Sequence, residues 1–234
     1  MTAQAPPATR RAAGEPPAAP PGETSARRGR VNSPENTRAD ILVAAAREFA
    51  INGFSGARVD AIADQTQTSK RMLYYYFGSK EGIYRCVLLE CYRALRRREG
   101  ELDLANLSPI DALKAIVEFN FNHHIENQDF IRMVMNENVL MGRNLREIPF
   151  IKAENSSVIE MLREICEKGA AEGAMRAQVD PVDLHMSISA LCVFNVSNRH
   201  TFSYLFDRDM MGQPALEARR KAVVDMILSS VAPE

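Results

Sequence analysis

A lysine, an arginine and three tyrosines crowd into the seven residues from Lys70 to Tyr76. Leu73 and Phe77 stand four apart, so in a helix they share one face. Lys70, Arg71, Tyr74, Tyr75 and Tyr76 are then left for the other faces. Guanidinium and ammonium groups bond phosphates and guanine edges, and tyrosine hydroxyls reach phosphates. The chemistry on offer is recognition of a nucleic acid. Catalytic patterns are missing: there is no GxSxG, no P-loop, no CxxC and no GxGxxG after a strand. The isolated serines, histidines and aspartates have nothing that groups them, so neither an enzyme nor a cofactor is expected.

Such a face needs elements that hold it out. Val59, Ile62 and Ala63 give an apolar stripe to a preceding helix, about Arg58 to Gln65. Thr66-Gln67-Thr68 breaks the pattern with turn-forming residues. Ser69 opens the next helix, and the two together have the helix-turn-helix layout. Gly78-Ser79 separates it from a further helix, where Ser79 caps and Ile83, Val87, Leu88 and Cys91 point inward. Upstream, Ser33, Pro34 and Glu35 suit a helix start, and Ile41, Leu42, Ala45 and Phe49 form its inner side. Asn52-Gly53 ends it, with Gly53 as a left-handed cap.

The stretch LYYYFGSKEGIY, Leu73 to Tyr84, together with the Ile62-Ala63 helix, resembles the TetR-type transcriptional regulators. The resemblance covers about Asn36 to Tyr92. It implies base-edge contacts from Lys70 and Arg71, and phosphate contacts from Tyr74, Tyr76 and Lys80. Arg58, Ser69 and Tyr75 complete the expected DNA-binding set. Two positions depart from the family pattern. Gln67 stands where a glycine is usual, and glutamine tolerates a left-handed backbone less well. Ala57 stands where a threonine is frequent, which implies loss of a cap worth about 1 kcal/mol, with Arg58 replacing the lost contact.

Charge supports the same reading. The net charge of the chain is −1, yet Arg27–Gly100 carries +6 and Glu101–Glu234 carries −7. A basic first part joined to an acidic second part fits a DNA-binding domain followed by one that avoids DNA. Residues 1–32 are rich in alanine and proline, which predicts a disordered tail. Its end, Arg27, Arg28 and Arg30, is equally compatible with an idle solvated tail and with a basic arm on DNA. Four scattered cysteines predict buried free thiols rather than disulfides. No apolar run of spanning length and no signal sequence occur, so a cytoplasmic protein without membrane contact is expected.

After Gly100, helical patterns follow one another and no strand pattern appears. Ser108 to about Asn127, Asp129 to about Met141, Phe150 to Glu172, Asp180 to about Phe206 and Ala215 to Val231 are predicted helices. The fold expected is all-α with about nine helices. A helix-turn-helix domain at 33–92 precedes a helical effector-binding and dimerisation domain at 93–234. The resemblance implies a pocket in the second domain, and Phe119, His123, Met133, Asn136, Asn138 and Asn195 are its candidates. Aromatic walls with a few amides suit a mid-sized aromatic or amphipathic molecule. Met and Phe at helical spacing are more often plain core. His123-His124 with Glu118 and Glu126 lacks a ligand spacing, so no metal site is expected. Met186–Val196 is apolar nearly all round, and with the Leu216–Val231 stripe it suits either an intermolecular four-helix bundle or a large monomeric core, symmetric DNA recognition favouring the first. The chain is thus expected to be a ligand-responsive regulator, a repressor, that binds a palindromic operator in double-stranded DNA as a homodimer. The alternative is the same DNA-binding fold controlled by a protein partner.

Overall fold

The computed structural model describes residues 1–2 and 34–233. The expected N-terminal tail beyond Thr2, its arginines and the Ser33 cap lie outside the described residues. The rest falls within one compact unit, Ser33–Glu234. Its helices are α1 Pro34–Gly56, α2 Val59–Gln65, α3 Lys70–Phe77, α4 Lys80–Gly100, α5 Pro109–Glu126 and α6 Gln128–Val139. They continue as α7 Ile151–Glu154, α8 Ser156–Ala171, α9 Pro181–Ser197, α10 Arg199–Phe206 and α11 Gln213–Val231, with a 3-10 turn at Leu145–Glu147. No strand occurs among the described residues, and the chain is all-helical. None of these helices is long and apolar enough to cross a membrane.

Local chemistry sets the helix ends. Ser69, Ser79 and Ser108 cap α3, α4 and α5 by accepting from Met72, Gly82 and Asp111 N–H groups. Asp180 accepts from the Val182 and Asp183 amides at the start of α9, with Pro181 in the first turn. Gly53 takes φ 66° and breaks the helical run of α1. Two predicted helices prove to be two each. Phe150–Glu172 breaks at Asn155 and Asp180–Phe206 breaks at Asn198, both non-helical, with φ −104° and −107°. Asn155 turns its amide back onto the Ile151 carbonyl at 2.9 Å, competing with the helix ladder.

Apolar packing forms three clusters. The first holds α1–α4 together around Ile41, Phe49, Ile62, Leu73, Ile83 and Leu88, each fully buried. A second joins α5, α8, α9 and α11 around Leu113, Val117, Leu162, Ile188, Cys192 and Val223. Between them, Leu95 of α4, Phe130 and Ile131 of α6, and Val196 of α9 make a smaller third. A buried side chain of this size stabilises by about 1.5–3 kcal/mol. Helix α6 belongs to both ends of the molecule, because its Met133 sits in the first cluster while Phe130 sits in the third.

The turn between α2 and α3 adopts the backbone that glycine favours. Gln67 has φ 52°. Around it the Thr68 amide bonds the Ala63 carbonyl at 3.1 Å and the Gln67 amide bonds Asp64 at 3.4 Å, a Schellman closure. Thr66 Oγ1 donates to the Ile62 carbonyl at 2.9 Å. A side-chain-bearing residue in this region is strained by about 1–2 kcal/mol, partly offset by the larger unfolded entropy of glycine. Gln67→Gly is therefore expected to stabilise the protein by about 0.5–1 kcal/mol in urea unfolding. A destabilised variant would show that the glutamine side chain contributes more than its backbone strain removes.

Candidate nucleic-acid interface and effector region

Helix α3 shows two sides. Leu73 is fully buried and Phe77 nearly so, and Arg38 of α1 stacks its guanidinium over the Phe77 ring at 5.3 Å. Ser69, Lys70, Arg71, Met72, Tyr74 and Tyr75 are exposed. Tyr75 stands furthest out, at 79% exposure. Tyr76 is half-buried, packed on the first cluster and edge-on to Tyr75 at 5.5 Å. The predicted residues thus separate into an outward group and one that leans back on the core.

Two of the basic groups are already engaged. Lys70 Nζ bonds Asp60 of α2 at 3.0 Å, and this hydrogen bond raises the lysine pKa. Lys80 Nζ reaches the Ser55 carbonyl at 3.3 Å and lies 5.2 Å from the centre of the Phe54 ring. Both ammonium groups thus already have a protein partner. Among the described residues Arg71 makes no such bond, and neither does the Arg58 side chain. Arg58 is itself the cap position of α2, φ −119° and ψ 125°. This corrects the expectation for Ala57, which lies one residue earlier, buried in the core. Glu48 of α1 supplies an acceptor instead, its Oε1 taking the Arg58 N–H at 2.9 Å. A carboxylate from another helix could not be read from the local pattern.

Gly82 governs how α3 meets α4. A Cβ at this position would lie 1.9 Å from the Phe77 carbonyl oxygen. The first turn of α4 is thereby held directly against the end of α3, whose Gly78 turns with φ 75°.

The six effector candidates do not share one cavity. Met133 is fully buried in the first cluster, and its carbonyl accepts from Tyr84 Oη at 3.4 Å. Asn136 lies against Gly53, where a Cβ would stand 3.2 Å from its Oδ1. These two belong to the junction of α6 with α1 and α4. Asn138 is exposed and bonds its own helix at the Val134 carbonyl, 2.9 Å. Asn195 lines a cavity of about 280 Å³ between α9, α10 and α11, with Phe194, Phe202, Arg208 and Arg219, and donates to the Met210 carbonyl at 3.1 Å. Phe119 and His123 come together, ring centres 5.7 Å apart, and Phe130 and His124 join them.

That last group continues into polar residues outside the candidate set. Arg96 donates to buried Glu99, and Glu99 Oε1 accepts from Asn120 Nδ2 at 3.2 Å. Basic residues near the end of a helix suit its dipole, and Arg93 and Arg98 of α4 pair with surface carboxylates, Glu154 and Glu126. Arg96 instead turns inward. The signal was present on α5, where Asn120, His123 and His124 fall among Leu113, Ile116 and Val117 at helical spacing. Burial lowers the pKa of His123 to about 4 and of His124 to about 3, so both are neutral at pH 7.

Comparison with known proteins follows the same division. Residues 41–87 match the model of bacterial regulatory proteins of the tetR family, and residues 109–227 match that of the tetracycline repressor-like C-terminal domain. The HTH-type transcriptional repressor NicS of Pseudomonas putida is 32% identical over 186 residues, covering 80% of this chain and 88% of that protein. The HTH-type transcriptional repressor KstR2 of Mycolicibacterium smegmatis is 27% identical over 153 residues, covering 65% and 74%. Among solved structures, the candidate transcriptional regulator SCO4942 of Streptomyces coelicolor superposes with a TM-score of 0.64 at 27% identity, covering 83% of this chain and 98% of that one.

Proposed function

The chain belongs to the tetR family of bacterial regulatory proteins, and on that premise we propose that it represses transcription as a homodimer on a palindromic operator and leaves the operator when a small molecule binds its C-terminal half. One observation carries the reading. The outward face of α3 gathers Lys70, Arg71, Tyr74 and Tyr75 on a short helix whose back, Leu73 and Phe77, is locked into a four-helix core. A rigid helix of this kind enters the major groove with its N-terminal residues at the base edges. Arg71, exposed and without a partner among the described residues, reads bases; Lys70 joins it on release from Asp60. Tyr74, Lys80 and Arg58 flank it on phosphates.

A single α3 buries little surface, so tight binding favours two copies. Helix α9 carries an exposed apolar stripe at every fourth residue: Val182 at 56%, Met186 at 63% and Phe194 at 39%, with Ala190 among them. Met226 of α11, 41% exposed, adds to it. Exposed apolar side chains along two neighbouring helices favour an interaction surface, and an isologous four-helix bundle would cover it. We place the division between the DNA-binding and effector domains near residue 92, with α4 crossing it. Repression is the sign supported by the NicS relative, itself a transcriptional repressor.

The experiment is a titration with DNA from upstream of the protein's own gene. Arg71→Ala is expected to weaken binding by about 1–3 kcal/mol and to relax sequence preference at one base pair of each half-site. Lys80→Ala is expected to weaken all sequences alike and to reduce the salt slope by about one. Wild-type affinity and an unchanged salt slope in both variants would sink the assignment.

A further inference from the structure

Three buried polar atoms have no hydrogen-bond partner among the described residues: Nε of Arg96, Nδ1 of His123 and Nδ1 of His124. Orphaned buried groups are rare in native proteins, and each costs stability. These three lie together where α4 and α5 pack against α6 and α9. The two imidazoles are 5.8 Å apart, and both rest on Phe130 at 6.4 and 6.5 Å. His185 of α9 is near enough to feel the charge of Arg96 and to act on His124. Both histidines are 4% exposed and the Arg96 side chain 10%.

The unused atoms have a common chemistry. Arg96 Nε–H can only donate. Each Nδ1 donates in the appropriate tautomer or when the ring is protonated. The buried carboxylate of the cluster, Glu99, is already shared, Oε2 with Arg96 and Oε1 with Asn120, and Glu126, whose charge reaches His123, pairs with Arg98 at the surface. Arg96 and Glu99 balance each other's charge, as Arg98 and Glu126 do, so an incoming anion meets one standing donor, Arg96 Nε–H, and two imidazoles that donate once their Nδ1 tautomer is selected.

We propose that this cluster receives the carboxylate of a small organic acid, which is the effector of the repressor. The inference rests on the reading of the protein as a ligand-released repressor and names the class of ligand. The apolar body of the acid takes the space now filled by the Phe119 and Phe130 rings. Phe130 lies in the first turn of α6, while Met133 and Asn136 of the same helix press on Tyr84 and Gly53 of the DNA-binding half. Displacing Phe130 therefore moves α6 against α1 and α4. A carboxylate binding there has the leverage that release from DNA requires.

The test uses the full chain and matched probes at millimolar concentration: benzoate against benzamide, hexanoate against hexanamide, and phenyl phosphate. Binding is read by calorimetry and by thermal shift. At least one carboxylate is expected to bind and raise the melting temperature, with its amide inert. His124→Phe keeps an aromatic ring and removes both ring nitrogens, the orphaned Nδ1 among them. It should weaken that carboxylate roughly tenfold or more while leaving the unliganded melting temperature unchanged or higher, since an orphaned atom is gone. Because Arg96→Met would strand Glu99, the balanced double variant Arg96→Gln with Glu99→Gln serves in its place, and it should also lose the carboxylate. Equal binding of acid and amide, binding of the phosphate alone, or no binding by any probe overturns the proposal. Operator titration of the same samples, with and without Arg71→Ala, separates the two readings. If DNA binding and its Arg71 dependence hold while carboxylates fail, only the ligand class is wrong.

Discussion

Replacing Gly82 with alanine is expected to destabilise the DNA-binding half by about 3 kcal/mol and to lower operator affinity by two orders of magnitude or more. An interior Gly→Ala change in a helix ordinarily stabilises by about 1 kcal/mol, so the expected sign is the opposite of the local rule. The reason is the Cβ position, 1.9 Å from the Phe77 carbonyl oxygen and 3.1 Å from its carbon. Alanine has no side-chain torsion with which to escape, and the obstacle is backbone. Either the first turn of α4 or the end of α3 must move by more than an ångström. Phe77 anchors the back of α3 and Ser79 caps α4 through the Gly82 amide itself. The shift is thus passed to the helix that carries Arg71 and Tyr74. Gly100→Ala is the control, since a Cβ there meets nothing within 4 Å. Urea unfolding should show it neutral or slightly stabilised, with operator binding intact. If Gly82→Ala also behaves in this way, the contact between α3 and α4 is looser than the geometry requires.

That contrast bears on what the sequence could disclose. Serine caps, Pro at first turns and the glycine at 53 act through their nearest neighbours, so α1–α5 were legible from local pattern. Gln67 was legible as well, because a left-handed turn residue is a property of one position. Gly82 was not: its requirement comes from a carbonyl across the preceding turn. The same limit explains the asparagines. Asn155 and Asn198 interrupt helices whose apolar spacing continues past them. Asn138, read as a pocket group, bonds its own helix. Met133 and Asn136 lie on a helix of the acidic half, yet both turn toward the DNA-binding half. Periodicity says which residues share a face, and it does not say which neighbour that face meets. Here the face of α6 meets α1 and Tyr84.

The second large effect is expected at Glu137, which fixes the far end of that junction. Its carboxylate is 4% exposed and accepts three hydrogen bonds, from Asn144 N at 2.6 Å, Leu145 N at 2.9 Å and Asn144 Nδ2 at 3.1 Å. These hold the segment after α6, from which Leu145 and Ile148 enter the core of the DNA-binding half. Tyr84 feels the same group: burial first, then the Glu137 charge, pushes its hydroxyl pKa up. Glu137→Ala would strip the acceptor from three donors at once, two of them on buried Asn144. Charged hydrogen bonds of this kind are worth about 1.5–3 kcal/mol each before relaxation, and removal of one partner of a buried charged network costs about 3–5 kcal/mol. A fall of about 3–5 kcal/mol in urea unfolding is therefore expected, with faster amide exchange at Asn144 and Leu145. Glu137→Gln keeps one acceptor oxygen for the two backbone amides but turns an NH2 toward Asn144 Nδ2, so it should lose roughly a third to a half as much. A loss under about 1 kcal/mol for alanine would mean that water replaces the carboxylate and that the segment is not stiff. Stiffness is what the proposed release needs. Helix α6 can transmit a shift at Phe130 to α1 and Tyr84 only if the segment after it is anchored, and Glu137 is the residue that anchors it.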